Sequence, residues 1–170
     1  MTTWWEAEPG RLEQDVAEVS ALFPDLEFVS EGAGLWRGRL PVWPFERGQP
    51  VGLALLTDGA GIDLEVHYRQ AYPVVPPKVV PLDPNPGTLY RANHRWHLNG
   101  DGSLCLLRSE ALWTPRESLV GLLLKAAGWR VEYELVNAGV IEAMSENGIV
   151  SDPVHDDRVR EAAWQPSASS

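Results

Sequence analysis

The chain has 170 residues, of which 44% are hydrophobic and 22% charged, so it is long enough for one well-packed domain and too short for two. Its 14 basic residues stand against 24 acidic ones, a net charge of −10, which argues against a general binder of nucleic acid or of anionic membranes. No apolar run approaches the roughly 20 residues of a membrane helix, and residues 1–6 lack the basic and apolar start of a secretory signal. We therefore expect a cytoplasmic protein.

The first part of the chain predicts one helix followed by four short strands. Apolar residues recur at spacings of four, three and four, which places them on one helical face that Pro24 ends: Leu12, Val16, Val19 and Phe23. We expect the strands, in chain order, at residues 26–29, 35–42, 51–56 and 62–68. The last alternates apolar and polar side chains, as a strand with one buried face does. Short turns between them indicate an antiparallel meander, and the expected fold class is α+β.

Prolines dominate the next segment. From Tyr72 to Pro86 they are too frequent for a helix or a central strand, so the sequence predicts an extended loop packed across the sheet. Residues 88–109 show little periodicity, and a loop of that length inside a compact domain usually has a function.

A helix start follows this loop. Thr114 is a suitable N-cap, Pro115 fits the first helical position and Glu117 completes a capping box. A broad apolar face then predicts a helix that Gly128 ends or interrupts, with a second helical stretch from 129 to 144. We expect a single domain over residues 1–150 and a polar C-terminal tail over 151–170 that frays from residue 164.

Cys105 is the only cysteine of the chain, which excludes an intramolecular disulfide and a zinc site with two cysteines. It follows a glycine-rich turn, with His94, His97 and Asn99 shortly upstream. A thiol attacks as the thiolate, an imidazole can take its proton, and an amide or imidazole N–H can stabilise an oxyanion. A lone cysteine is otherwise commonly an inert buried residue. We expect no metal, because one loop offers three ligands without an obvious fourth. We also expect no cofactor.

Three segments resemble motifs of the ubiquitin-conjugating enzyme family, in that family's order. Tyr72-Pro73-Val74-Val75-Pro76-Pro77 matches Tyr-Pro-x-x-Pro-Pro. Asp101-Gly102-Ser103-Leu104-Cys105-Leu106 is similar to Asn-Gly-x-(Ile/Leu)-Cys-Leu, with Asp for the first Asn. Trp113-Thr114-Pro115 matches the Trp-x-Pro entry to the next helix. The resemblance covers about residues 10–130 and implies the fold of that family: a four-stranded antiparallel meander with an N-terminal helix and C-terminal helices.

The resemblance implies that Cys105 is the thioester-forming nucleophile, but the family's asparagine is displaced. The position eight residues before the cysteine holds His97. Alternatively, His97-Leu98-Asn99 stands for His-Pro-Asn with two residues deleted from the loop, which would make Asn99 the oxyanion donor. Either side chain could instead only brace the loop. The sequence leaves the choice between His97 and Asn99 open.

The implied function is that of a transferase. Cys105 would accept the C-terminal glycine of a ubiquitin-like protein or of a cyclic-oligonucleotide synthase, and would pass it to an amine of a protein target. The chain has no Walker-type nucleotide loop, so a separate activating enzyme is expected. The short C-terminal part and the histidine-bearing loop are similar to the bacterial ubiquitin-conjugating-enzyme-like proteins of conjugation and antiphage-defence operons. The alternative is a catalytically inactive binding module of the same fold that recruits a ubiquitin-like partner.

The tryptophans allow one further expectation about partners. Most of the eight should be core or interface anchors. Trp113 is expected beside the cysteine loop. Trp4, Trp5 and Trp43 are candidates for an exposed aromatic surface that a partner would cover. Neither nucleic acid nor a membrane is expected as a partner.

Overall fold

The computed structural model describes residues 1–164, apart from the side chain of His94. Four strands form one antiparallel sheet in the order β1-β2-β3-β4. This confirms the predicted α+β class, with helices before the first strand and after the last. Within residues 1–164, no helix is both long enough and apolar enough to cross a membrane. The elements are α1 (Trp4–Ala7), α2 (Pro9–Leu22), β1 (Leu26–Val29), β2 (Leu35–Leu40), α3 (Leu53–Thr57), β3 (Ile62–His67), β4 (Lys78–Asp83), α4 (Leu119–Asn137) and α5 (Asp156–Trp164).

The core lies between the sheet and α4. Strand β3 alternates as its sequence predicts, with Ile62, Leu64 and Val66 fully buried. Helix α4 contributes Leu123 and Ala126, which are also fully buried, to the same apolar cluster. Burial of large aliphatic side chains contributes about 1.5–3 kcal/mol each, so this contact between sheet and helix fixes the platform on which the loops are built.

The prediction of a strand at residues 51–56 is wrong, because residues 53–57 form the short helix α3. Leu53 and Thr57, four positions apart, are both buried, and the Thr57 hydroxyl donates a 2.9 Å hydrogen bond to the Leu53 carbonyl. Gly52 enters the helix with a φ of +95°. A short apolar run fits a buried helical turn as well as a buried strand, and here the i, i+4 burial decides for the helix.

The fourth strand, β4, lies in the segment predicted to be an extended loop. It pairs with β3 alone and forms an edge of the sheet. Pro81 has no N–H to donate. An edge strand tolerates this because the proline nitrogen can face the unpaired side of the sheet. The β3–β4 register shifts between Asp63 and Leu64, opposite this proline. The sheet is therefore a four-stranded meander, although one of its predicted members was misplaced.

The inward face of α2 differs from the predicted one. Val16 is 39% exposed, whereas Arg11 and Asp15 are buried together with Val19. The buried face of α2 is therefore rotated relative to the predicted apolar face. It contains an ion pair, in which the Arg11 Nε lies 3.0 Å from the Asp15 Oδ1. Phe23 is fully buried as expected.

Helix α4 is continuous and starts later than predicted. Its N-cap is Ser118, whose hydroxyl accepts a hydrogen bond from the Val120 N–H, and it ends at Asn137 rather than near residue 144. Gly128 does not break it. A Cβ atom at Gly128 would lie 3.1 Å from the Ile149 Cγ1, so glycine here allows the following segment to pack closely against the helix.

Within the predicted polar tail, residues 156–164 form α5, which packs on the domain. Val159 is 1% exposed and joins a second small apolar cluster with Leu53, Leu135 and Ile149. The ion pair between Arg47 and Asp156 lies beside this contact. Residues 165–170, the rest of the predicted frayed tail, lie outside the described residues.

The expected surface of exposed tryptophans is not present. Trp4 is 3% exposed and its indole N–H donates to the Ala33 carbonyl at 2.7 Å. Trp5 and Trp43 are half-buried. Trp113 is buried and donates to the Pro73 carbonyl at 2.9 Å, which holds the proline segment against the entry to α4.

Candidate active site

The loop before Cys105 is a tight hairpin fastened to the edge of the sheet. The Leu104 N–H donates to the Val79 carbonyl of β4 at 2.7 Å, and the Cys105 N–H donates to the His97 carbonyl at 2.8 Å. Leu98 and Leu104 form a bridge and are both 5% exposed. The loop therefore has apolar anchors of its own, and the backbone of Cys105 has a fixed position.

An acidic residue organises the turn of this hairpin. The Asp101 Oδ1 accepts hydrogen bonds from the Ser103 N–H at 3.0 Å and from its hydroxyl at 2.6 Å, an Asx turn. Lys78 pairs with the other carboxylate oxygen at 2.5 Å. The Lys78 hydrogen bond, followed by the two from Ser103, holds the pKa of Asp101 well below its usual range. Gly102 supplies the φ of +87° that the turn requires.

Cys105 itself is exposed, so the alternative of an inert buried cysteine does not describe it. Its Sγ lies 3.7 Å from the Leu107 carbonyl oxygen, the weak contact that a thiol donor makes. An exposed sulfur on a fixed backbone is accessible to a reacting carbonyl without rearrangement of the loop.

Two surface depressions meet at Cys105. The narrower one, with a volume of about 250 Å³, lies between the proline segment at Pro76 and Pro77 and the cysteine loop. The wider one, of about 650 Å³, lies between that loop, α4 and residues 146–148. Two different groups can therefore approach the same sulfur from different sides.

The wider depression brings all three predicted site residues together, because His97, Asn99 and Cys105 each line it. His97 is half-buried and adopts a left-handed φ of +46°. This conformation is uncommon for a residue with a side chain, and it turns the His97 carbonyl to the Cys105 N–H. The side chain of His94 lies outside the described part of the structure.

The side chain of Asn99 is hydrogen-bonded within the cysteine loop. Its Nδ2 donates to the Ser103 hydroxyl at 3.0 Å and to the Leu104 carbonyl at 3.3 Å. The side-chain amide has two N–H groups, and both are used within the loop. In this conformation Asn99 stabilises the hairpin, and donation to an oxyanion would require it to release one of these bonds.

Three residues around the site were not predicted. Ser103, 3% exposed, links Asn99 to Asp101, and the Asp-x-Ser spacing of the Asx turn is the signal that could have identified it. Lys125 and Glu132 of α4 line the wider depression. Glu132 is 2% exposed and accepts a 2.9 Å hydrogen bond from a backbone N–H at residue 145. No local motif marks these two, because the tertiary packing of α4 brings them to the loop.

A buried polar network supports the proline segment from behind. The hydroxyls of Tyr68 and Tyr72 both donate to the Asp15 Oδ2 at 2.7 Å. The Arg11 Nε donates to the Asp15 carboxylate and to the Tyr72 oxygen. Burial raises the pKa of Asp15, while the hydrogen bonds from Tyr72 and Tyr68 and the Arg11 charge oppose that rise.

The same guanidinium reaches the entry to α4. Its two terminal nitrogens donate to the backbone carbonyls of Pro115 and Glu117, each at 2.6 Å. Arg11 therefore joins α2, the proline segment and the entry to α4 through one buried side chain. These segments support the proline side of the narrower depression.

Within residues 1–164, leaving aside the side chain of His94, no three His, Cys, Asp or Glu side chains form an arrangement that could hold a metal ion. Comparison of the chain with protein-family models, with curated proteins and with solved structures gives no match.

Proposed function

We propose that this protein is a ubiquitin-conjugating-enzyme-like transferase that carries an acyl group as a thioester on Cys105. The observation that carries the proposal is the position of Cys105, the chain's only thiol, exposed on a fixed hairpin where two depressions meet. The three sequence motifs around it resemble those of that family, and the four-stranded antiparallel meander between terminal helices is compatible with its fold.

The chemistry needs two successive attacks at one carbonyl carbon. A separate activating enzyme supplies the C-terminal glycine carboxyl of a partner protein as an adenylate or a thioester. The Cys105 sulfur attacks that carbonyl and expels the activating group, which gives a new thioester. A target amine then attacks, the C–S bond breaks, an amide bond forms, and the Cys105 thiolate is released.

The narrower depression suits the acyl chain and the wider one the incoming amine. A C-terminal glycine has no side chain to accommodate, which matches the limited volume of about 250 Å³ beside the proline segment. Because both N–H groups of Asn99 are used within the loop, His97 is the better candidate for the oxyanion donor. His97 also lines the wider depression, through which the amine would approach.

The partners in this proposal are a ubiquitin-like protein or a cyclic-oligonucleotide synthase with a C-terminal glycine, the activating enzyme and a protein target. The biological setting is a bacterial conjugation or antiphage-defence operon in the cytoplasm. The net charge of −10 is consistent with protein partners rather than with nucleic acid or anionic lipid.

A specific observation also favours the second candidate, a catalytically inactive binding module. Asn99 has a structural partner for each of its amide hydrogens, as expected of a loop that is retained for its shape. In that case the proline segment and the sheet would bind the ubiquitin-like partner and Cys105 would carry nothing.

The test is co-expression with the neighbouring gene products, followed by gel electrophoresis with and without thiol reductant. The proposal predicts a band of higher mass that reductant removes and that Cys105→Ala lacks. Cys105→Ser is the matched control, because a serine ester resists reductant but is cleaved by alkali. Mass spectrometry of the band identifies the partner. Co-purification of the same partner with both wild type and Cys105→Ala, without any adduct, would favour the binding module and exclude the transferase.

A further inference from the structure

One ion pair connects two walls of the wider depression. Arg108 follows Cys105 closely in the cysteine loop, Glu146 lies in the segment after α4, and all three residues line this depression. The Arg108 Nη2 is 3.6 Å from the Glu146 Oε2, and the two side chains are 62% and 76% exposed. Because both side chains are exposed, the pair lies at the rim of the depression. We call Arg108 and Glu146 the rim pair.

The wall that carries Glu146 is held on both sides of this residue. Glu132, which is 2% exposed, accepts a 2.9 Å hydrogen bond from the N–H of Ser145, the residue before Glu146. Further along, the Arg47 Nη1 donates a 2.7 Å hydrogen bond to the Val150 carbonyl. The backbone around Glu146 is therefore fixed, and an exposed side chain reaches from it to Arg108.

The rim pair opens at little cost. A separation of 3.6 Å is longer than a hydrogen bond, and exposed ion pairs contribute little to stability. Once open, the pair presents one positive and one negative charge on opposite walls. Lys125 and Glu132 also line this depression but are less exposed. An entering segment therefore meets the charges of the rim pair first.

We propose that the rim pair selects the acceptor, and that the preferred target is a protein segment whose lysine lies between an acidic and a basic residue. This inference rests on the thioester chemistry and on the approach of the amine through the wider depression, both proposed above. The acidic side chain of such a segment pairs with Arg108 and its basic side chain with Glu146, so both opened charges find partners. A lysine between two acidic or two basic residues places like charges together on one wall, which disfavours that target.

The selection concerns transfer and not loading. The acyl chain was assigned above to the narrower depression. The charged residues that line that depression are a different set, namely Arg69, Lys78, Asp101 and Glu110. Formation of the thioester on Cys105 should therefore not depend on the rim pair.

The test loads the full chain chemically, so that it does not depend on the natural partner. The probe is a peptide ending in Gly-Gly as an alkyl thioester, which exchanges onto an exposed thiol without an activating enzyme. Loading is measured as a mass adduct that hydroxylamine removes and that Cys105→Ala lacks. After removal of excess probe, transfer is followed by mass spectrometry at about 0.15 M salt, which screens long-range attraction.

The acceptors are three peptides with blocked termini and one lysine each, flanked by one Glu and one Arg, by two Glu or by two Arg. Wild type is compared with Arg108→Glu and Glu146→Arg, which leave two like charges at the rim. Arg39→Glu is the matched control, because it changes the net charge as Arg108→Glu does, at an exposed residue of β2.

We expect wild type to transfer about three times faster to the mixed peptide than to either of the others, a ratio of the size that exposed ion pairs provide. The peptide with two Arg should become the fastest in Arg108→Glu and the one with two Glu in Glu146→Arg, while Arg39→Glu keeps the wild-type order. Equal rates in wild type, or one order in all four proteins, would overturn the inference and leave the thioester chemistry intact. Absence of the labile adduct would contradict both.

Discussion

The hydroxyl of Tyr72 donates a 2.7 Å hydrogen bond to Asp15, a carboxylate with no exposed surface. This contact joins the proline segment beside Cys105 to the N-terminal helix. The Arg11 guanidinium completes the link, since it pairs with Asp15 and reaches the entry to α4. The candidate site thus depends on a buried ion pair that lies away from its surface.

Replacement of Arg11 should be strongly destabilising. Arg11→Met leaves Asp15 buried without its counterion, and breaking a buried pair in this way costs about 3–5 kcal/mol. The matched control is Arg39→Met, because the Arg39–Asp63 pair is exposed and exposed pairs contribute little to stability. Urea unfolding of both variants measures the difference. Equal losses in the two would show that the buried network does not have this role.

The role of Asn99 can be separated from that of an oxyanion donor. If it braces the loop through Ser103, Asn99→Ala and Ser103→Ala should each cost about 0.5–1.5 kcal/mol, and the double variant less than the sum. The two single variants should slow acyl transfer to a similar extent. A loss of about 100-fold or more in transfer for Asn99→Ala, with Ser103→Ala near wild type, would instead identify Asn99 as the oxyanion donor.

The left-handed backbone of His97 limits what can replace it. His97→Asn should fold normally, because asparagine adopts positive φ more readily than most residues, and its amide retains an N–H donor. His97→Val should lose about 1–3 kcal/mol of stability, because a β-branched residue is strained at the φ of +46°. Thermal unfolding of the pair tests the backbone effect. Indistinguishable stabilities would mean that this conformation relaxes in the variant.

The pKa of Asp101 gives a pH dependence with a defined sign. Its native pKa lies below the ordinary 3.8, so near and below pH 3.8 the unfolded chain binds more protons than the native one. The stability from Asp101 is fully present well above pH 3.8 and is lost as the pH falls through 3.8 towards the native pKa.

Urea unfolding of wild type and Asp101→Asn from pH 7 to pH 3 measures this. Asparagine can still accept the Ser103 N–H bond but loses the ion pair with Lys78. The advantage of wild type should be constant at neutral pH and should shrink on acidification. It should also be reduced by salt, because the pair is exposed. An advantage that grows with acidity would contradict the assignment.

Helix α5 should contribute to stability through Val159. Val159→Ala removes about two buried methylene equivalents, a loss of roughly 2 kcal/mol, because the side chain is 1% exposed against Leu53 and Ile149. Val154→Ala, at a position that is 54% exposed, is the matched control and should lie within about 0.5 kcal/mol of wild type. A neutral Val159→Ala would mean that α5 packs only loosely.

The sequence correctly predicted those elements whose local pattern is compatible with only one type of secondary structure. Residues 26–29 and 62–68 were predicted as strands and are strands, to within one residue. The run at 51–56 was misassigned because a short apolar segment does not show its period. Strand β4 was hidden by Pro81, whose position on an edge strand only the assembled sheet reveals.

The candidate site was predictable where it is local. The loop motif located Cys105, His97 and Asn99, and the structure places all three around one depression. The inward pair of α2 was missed because Leu12 and Val16 gave a competing apolar face. Burial of Asp15 is tolerable because Arg11, Tyr68 just after β3 and Tyr72 of the proline segment all donate hydrogen bonds to it. Contacts supplied by distant segments leave no mark on the local pattern.

The hydrogen bond from the Leu104 N–H to the Val79 carbonyl also lets the cysteine loop cover part of the sheet edge. Strand β4 is a terminal strand of the sheet, and an uncovered edge of this kind pairs readily with a strand of another molecule. The loop occupies the Val79 acceptor and shields that part of the edge. A variant that loosens the turn of this loop should therefore also raise the tendency of the chains to self-associate along β4.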